Sequence, residues 1–330
     1  MTKTRVAVIG LGKMGLLHTS LLNLLADVEL VALCEKSSII RRFAKKAFNG
    51  ITVVSDITDL SNLGLDTVYI TTPVLSHFPI VKAVYSFKIG RNVFIEKPLA
   101  SSYTEASELC RLAQHHECIN MVGYNRRYAV TFRKARGFLE EGTIGEPVSF
   151  EGYAYSSDFI GVKTGAKTFS KGGVLLDLGC HVIDMALWLF GEMEIETASF
   201  SSIIGDGSED YAYLQVKTLK GVGGEFRSSW CMENYRLPEI GLIIKGVKGT
   251  IKVNDDRLEL KLDDGGSAIY YRQDLDDRAS FLLGGAEYFR EDESFINALV
   301  KGLDTEPSFQ TAARVEKIID QAKRKARENE

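Results

Sequence analysis

Cysteine is scarce in this chain, five in 330 residues, and none stands in a CxxC pair. That excludes a disulfide scaffold and a zinc ribbon, and it fits a reducing compartment. Long apolar runs are missing too, since no stretch approaches the roughly 20 residues of a membrane-spanning helix. The N-terminal apolar run breaks at Gly10, too short for a signal peptide, so the cytoplasm is the expected location. Neither sign of charge dominates. With 40 Lys+Arg against 44 Asp+Glu the net charge is −4, which gives no electrostatic reason to bind nucleic acid or an anionic membrane. The closing QAKRKARENE looks basic, but Glu316, Asp320 and Glu328 interleave with its cations, as on a solvated helix face. Repeats and low-complexity linkers are absent. A small molecule is the expected partner.

What is present is an ordinary globular composition, 45% apolar and 25% charged. At roughly 150 residues per domain the length suggests two domains. Up to residue 123, short β-branched runs at 5–10, 28–35, 67–72, 92–97 and 119–123 alternate with helical patterns at 13–26, 76–90 and 103–116. That alternation predicts βαβ units and a doubly wound parallel sheet, covered on both faces. Ser102 is placed to cap the last of these helices, with Glu105 as its capping-box partner.

After residue 124 the grammar changes. A helix at 128–140 is followed by short β-rich segments at 148–155, 195–203, 211–218, 225–230, 240–245, 250–253 and 258–262, with one helix near 181–190 among them. Helices near 286–301 and 311–327 close the chain. The prediction is an α/β chain: a Rossmann domain at 1–123, then an α+β domain at 124–330 built on a large, mostly antiparallel open sheet. Such a sheet needs its second face covered, so a homo-oligomer (a dimer or tetramer) is expected.

Gly10-Leu11-Gly12-Lys13-Met14-Gly15 forms a GxGxxG between a predicted strand and a predicted helix. Gly10 suits a tight turn, Gly12 a close approach of backbone to pyrophosphate, and Gly15 close packing of helix on strand. Glu35 lies 20 residues beyond Gly15, at the end of the second predicted strand, where a carboxylate accepts from ribose hydroxyls and repels a 2′-phosphate. NAD is therefore the expected cofactor. Lys36, Arg41 and Arg42 follow closely enough to serve a phosphate, which leaves NADP open.

Two further constellations stand out. Glu96-Lys97-Pro98 falls at the end of the fifth predicted strand, at the carboxyl edge where open parallel sheets bind ligands. The run from Gly172 to Asp184 contains Asp177 and His181, four apart, as on one helix face or its entry turn. Read as residues alone, these also suit a solvated lysine, a helix cap and a buried structural histidine, or a metal site with Asp184.

In order and spacing, the GxGxxG, Thr72-Pro73-x-x-x-His77, Glu96-Lys97-Pro98, Gly123-Tyr124-Asn125-Arg126-Arg127-Tyr128 and G-G-x-L-x-D-x-G-x-H-x-x-D together resemble the Gfo/Idh/MocA family along essentially the whole chain. Val74 departs from the family, where many members have Asn after Thr-Pro. The resemblance implies an NAD(P)-dependent dehydrogenase of a secondary alcohol in a sugar, cyclitol or nucleotide sugar. It implies Lys97, Asp177 and His181 as the catalytic set, and these also contact substrate. Thr72, Pro73, His77, Glu96 and Asn125 would line the cofactor, and the Lys97–Pro98 peptide would be cis. Arg126 and Arg127 stand at the domain boundary, one to contact substrate and the other to pair with carboxylates, the sequence leaving open which. Lys163 and Lys167 are candidates for the substrate mouth. His181 suits a general base near neutral pH, Lys97 a donor to the developing alkoxide, and Asp177 a group orienting His181 or an adjacent hydroxyl. The competing readings are a non-catalytic dinucleotide sensor on the same fold and a sugar–sugar oxidoreductase with tightly held NADP.

Overall fold

The computed structural model describes residues 3–160, 172–203, 208–275 and 285–328. Lys163 and Lys167 lie outside them. The chain divides into two compact units, one of Met1–Tyr124 with Phe281–Ala313, the other of Asn125–Ser280 with Arg314–Glu330. The sequence reading put everything after 123 in the second domain. Part of the chain beyond 280, including the helix Ala286–Lys301, instead belongs to the first.

The first unit holds strands β1 (Thr4–Ile9), β2 (Val28–Cys34), β3 (Thr52–Val54), β4 (Leu65–Ile70), β5 (Gly90–Glu96) and β6 (Asn120–Gly123). They form a parallel sheet in the order β3-β2-β1-β4-β5-β6. Helices α1 (Lys13–Leu22), α2 (Ser38–Ala47), α3 (His77–Ser86) and α4 (Tyr103–His115) connect them. Val6, Val8, Val68, Ile70, Val93 and Ile95 are fully buried, as strands covered on both faces require. The strand order reverses at the β1–β4 pair, and ligands bind outside the carboxyl ends of strands at such a switch point. Ile9, Ile70 and Ile95 are in register there, so the Gly10 loop, Thr71–Thr72 and Glu96–Lys97 emerge from one sheet edge. Strand β3, only three residues long, escapes the hydrophobic pattern. Ser102 caps α4 by accepting from the Glu105 N–H at 3.3 Å. The Glu105 carboxylate does not complete the expected box; it accepts from the N–H and hydroxyl of Ser101.

The second unit holds α5 (Val130–Glu140), α6 (Cys180–Phe190), β7 (Pro147–Tyr155), β8 (Met193–Ser201), β9 (Tyr211–Thr218), β10 (Gly223–Ser229), β11 (Glu239–Gly246), β12 (Gly249–Asn254), β13 (Arg257–Leu262) and β14 (Ser267–Tyr271). Its sheet runs β14-β13-β12-β11-β7-β10-β9-β8. Every pair is antiparallel except β7 with β10, so the consecutive antiparallel run read from sequence breaks there. One face buries Phe150, Ala154, Leu214, Phe226, Leu242 and Ile244. A Cβ on Gly152 would come within 2.6 Å of Val182, so glycine there lets α6 lie close on the sheet.

Candidate functional site

The dinucleotide loop is built as its glycines suggest. Gly10 takes φ +92°, and a Cβ there would strike Thr72 at 2.5 Å. A Cβ on Gly15 would lie 1.8 Å from the Gly10 carbonyl oxygen, so only glycine lets α1 start this close to β1. Gly12 caps α1 with extended backbone, no side-chain cap and nothing within 4 Å of where a Cβ would stand. The helix N-terminus thus presents its first amides to an open cradle suited to a pyrophosphate. Lys13 is exposed and Met14 half-buried at the same turn. Leu11 differs from the expectation, since its side chain is core and its N–H donates to Glu35 Oε2 at 2.7 Å.

Glu35 Oε1 accepts the Ser37 N–H, also at 2.7 Å. The carboxylate is held across the end of β2, each oxygen keeping a lone pair for a ribose hydroxyl. Arg41, weighed as a phosphate ligand, turns back onto the carbonyls of Glu35 and Lys36.

Thr72 accepts the Ser76 hydroxyl at 2.8 Å, and Pro73 is exposed. His77, expected to line the dinucleotide, is instead fully buried. Its Nδ1 lies 2.9 Å from the Pro98 carbonyl and its Nε2 2.8 Å from that of Thr72. Burial pulls its pKa below the ordinary histidine value, with the carbonyl contacts opposing. The ring sits between the Thr72 loop and the Lys97–Pro98 turn, whose peptide bond is cis, and when neutral donates to one of the two carbonyls.

Glu96 ends β5 almost buried, its Oε2 accepting the Lys97 N–H at 3.1 Å and its Oε1 lying 3.0 Å from His18 Nε2. His18 Nδ1 faces both Asp292 oxygens, at 2.8 and 3.0 Å. Burial alone would lower the His18 pKa, yet Asp292 and Glu96 carry it well above 6.5. Burial also raises that of Asp292. Glu291 beside it is fully buried, with no hydrogen-bond partner for either oxygen among the described residues. Burial, then the nearby Glu96 carboxylate, pushes its pKa well above 4.5, in favour of the neutral acid.

None of these three residues was singled out from sequence. His18 does sit three residues after Gly15 on the buried face of α1 with Thr19 and Leu22, which is a legible signal, whereas Asp292 is 274 positions away. The sign for Glu291 is clear: an unfolded glutamate is ionised above about pH 4.3, so folding takes up a proton and destabilises as pH rises. Glu291→Gln should therefore gain on wild type in thermal melts between pH 5 and 8, by up to about 1.4 kcal/mol per pH unit. A gap that does not widen with pH would refute the raised pKa.

In the second unit, residues 125–128 form a short 3₁₀ turn ahead of α5. Asn125 is buried, its amide oxygen accepting from Arg126 Nη1 at 3.3 Å. The same Nη1 lies 3.3 Å from His181 Nε2, and Arg126 Nη2 lies 3.3 Å from Asp255 Oδ2. A guanidinium only donates, so a hydrogen bond at this contact requires Nε2 to be the unprotonated nitrogen, the form a base requires. Arg127 makes a buried two-pronged pair with Asp184, 2.9 Å at Nε and 2.6 Å at Nη2, and packs over Trp188. Both arginines pair with a carboxylate, Arg127 through the shorter and more deeply buried contact, which also engages Asp184, the third residue weighed for a metal. Asp177 sits in a π-helical turn, Leu175–Gly179, that runs directly into α6 carrying His181; such turns recur at functional sites. Asp177 is half-buried and His181 nearly buried.

Comparison with known proteins agrees with this construction. Residues 4–124 match the family profile described as "Oxidoreductase family, NAD-binding Rossmann fold", and residues 132–252 match the "GFO/IDH/MocA C-terminal domain". The chain belongs to the Gfo/Idh/MocA oxidoreductase family. It is an NAD(P)-dependent dehydrogenase acting on CH–OH groups. It is 27% identical over 237 residues to myo-inositol 2-dehydrogenase of Thermotoga maritima, covering 68% of each chain. To the inositol 2-dehydrogenase of Rhizobium meliloti it is 26% identical over 323 residues, 92% of this chain and 91% of that one. Levoglucosan dehydrogenase in complex with NADH and levoglucosan shares the fold, with TM-score 0.88 and 23% identity over 100% of this chain and 98% of that one.

Proposed function

We propose that the chain oxidises a secondary alcohol of a cyclitol or sugar, or reduces the matching ketone, with NAD as cofactor and Lys97, Asp177 and His181 as the catalytic set. The observation that carries this reading is the Lys97 turn, set at the carboxyl edge of the same sheet as the dinucleotide loop and pinned there by Glu96 and His77. The inositol dehydrogenases among its relatives point to the substrate class.

NAD, when bound, supplies the hydride acceptor. Gly10, Gly12 and Gly15 with the first amides of α1 would hold its pyrophosphate, and Glu35 its adenosine ribose. Lys97 donates to the substrate oxygen and stabilises the alkoxide that forms. His181 takes the hydroxyl proton at Nε2, displacing the Arg126 N–H that faces it. Asp177 orients the imidazole or an adjacent hydroxyl. Arg126 is the arginine for substrate contact.

The test is a panel of inositols, aldoses, polyols and nucleotide sugars, each with NAD and with NADP, followed by reduced-cofactor absorbance. Oxidation of cyclitols or sugars with NAD supports the reading. No turnover with any of them, alongside tight dinucleotide binding, would return the protein to a sensor role. In the same assay Glu35→Ala should lower the NAD over NADP preference in kcat/KM about tenfold to hundredfold, since it removes the carboxylate that repels a 2′-phosphate. An unchanged ratio would assign that selection elsewhere.

Self-association through the open face of the eight-stranded sheet belongs to the same proposal. That face presents Tyr153, Tyr155, Tyr211, Tyr213 and Ile243, half-buried, among the pairs Lys245–Glu151 and Arg227–Glu225. Sedimentation at assay concentration should show a dimer or tetramer, and a single 36.6 kDa species would refute it. A cytoplasmic location belongs to the same reading, and cell fractionation checks it. Among the described residues no helix is long and apolar enough to cross a membrane.

A further inference from the structure

We infer that His18 and Asp292 are positioning residues for the reaction, acting through Glu96 to fix Lys97 relative to the helix that carries the dinucleotide loop. This rests on the role proposed for Lys97. It starts from a hydrogen-bond count. A neutral imidazole has one N–H, yet His18 lies within hydrogen-bond distance of a carboxylate on each side. Both contacts are hydrogen bonds only if the row Asp292–His18–Glu96 holds two protons, either as an imidazolium between two carboxylates or as a neutral ring beside one carboxylic acid. With one proton, a buried carboxylate would face a bare ring nitrogen, which is costly.

The surroundings hold those protons in place. The ring is fully buried among Tyr69, Phe94 and Tyr288 at centroid distances of 5.1–6.1 Å. The titratable groups around it are Glu96 from β5, Tyr69 from β4, and Asp292, Glu291, Tyr288 and Glu287 from the helix Ala286–Lys301. Burial raises the pKa of Asp292, with His18 and the Tyr69 hydroxyl opposing, and burial and the Glu96 carboxylate push that of Glu291 well above 4.5.

The row has a mechanical consequence. His18 sits on α1 three residues after Gly15, on the turn whose Thr19 hydroxyl bonds the Gly15 carbonyl. At its other end Glu96 Oε2 receives the Lys97 N–H. One buried hydrogen-bonded row therefore joins α1 to the peptide of the catalytic lysine and braces both against the helix Ala286–Lys301. Small errors in the placement of a catalytic group cost large factors in rate. His18 and Asp292 touch neither substrate nor cofactor in this scheme, so the loss of either should appear in kcat and leave dinucleotide binding alone.

The test compares two pairs of readouts on folded, full-length protein. His18→Phe keeps an aromatic ring in the pocket and removes both donors; kcat should fall at least twentyfold while the Kd for NAD stays within threefold. Asp292→Asn can re-form the row with a neutral ring, its amide donating to Nδ1 while Nε2–H donates to Glu96, and should keep at least half of wild-type kcat. Asp292→Leu cannot, and should fall as His18→Phe does. Independently of turnover, trace acetylation read by peptide mass spectrometry should show Lys97 at least threefold more reactive in His18→Phe and Asp292→Leu, with the other lysines unchanged.

Asp292→Leu as fast as Asp292→Asn with Lys97 labelling unchanged would overturn the inference, as would Asp292→Asn as slow as Asp292→Leu. If His18→Phe does not fold, the Asp292 pair decides. If wild type oxidises no alcohol, the proposed function fails, and the Lys97 labelling still decides the positioning role.

Discussion

Lys97→Met loses at least about a thousandfold in kcat and binds NAD within about threefold of wild type. The methionine keeps the length and apolar stem of lysine, so packing at the end of β5 is little changed. What goes is the ammonium that donates to the reacting oxygen as it gains negative charge. One such donor in a water-poor site is worth about 10²–10³ in rate, and loss of the hydrogen bond that orients the alcohol adds a further factor. The dinucleotide loop depends on Gly10, Gly12, Gly15 and Glu35, none of which changes. His181→Asn should lose about 10²–10⁴ through the missing base. Initial rates at saturating substrate give kcat, and NADH fluorescence titration gives affinity. Near-normal kcat in Lys97→Met would remove the mechanism; a large loss of NADH affinity with kcat intact would make Lys97 a cofactor ligand.

Asp184→Ala destabilises the protein by about 3–5 kcal/mol. Its carboxylate is buried and meets Arg127 through two short bonds. Removing it leaves a guanidinium in a nearly dry site beside Trp188, and that uncompensated charge, rather than the lost attraction, sets the cost. Replacing both partners by apolar residues, Arg127→Met with Asp184→Leu, should recover most of the loss. Urea unfolding of the two singles and the double measures the coupling directly. Additive losses in the double variant would refute the pair as a structural unit. If Asp184→Ala instead left stability within 1 kcal/mol and raised KM, Arg127 would return as a substrate contact.

The pairing of Arg127 shows where sequence reading stopped. Both arginines of Asn125-Arg126-Arg127-Tyr128 carry the same charge one residue apart, and their neighbours in sequence do not distinguish them. Only the fold points Arg127 at Asp184 and Arg126 at His181 and Asp255, partners 55 to 129 positions away. His77 is similar. Its place after Thr72-Pro73 made it a cofactor candidate, but the two carbonyls it faces come from loops that meet only when β4 and β5 pair.

The elements themselves were largely legible, because strands buried on both faces must be apolar and helices must begin at sensible caps. The longer strands and the helix Ala286–Lys301 fell where the hydrophobic pattern put them. Strands β3 and β14 did not show, one too short and the other alternating half-exposed residues at a sheet edge. The parallel placement of β10 beside β7 was equally silent, since alternation reports which side chains are buried and carries nothing about which strand lies alongside.

Local chemistry written in consecutive residues was therefore readable before any coordinates: a glycine turn with its φ +92° position, an acid at the end of β2, a lysine at the end of β5, and an aspartate and histidine four apart. Which unit the helix Ala286–Lys301 would join, and with it whether His18 would find Asp292, was settled only by the folded chain. Helical periodicity specifies an apolar face but not its partner, and a buried proton-holding row exists only once three distant segments exclude water together.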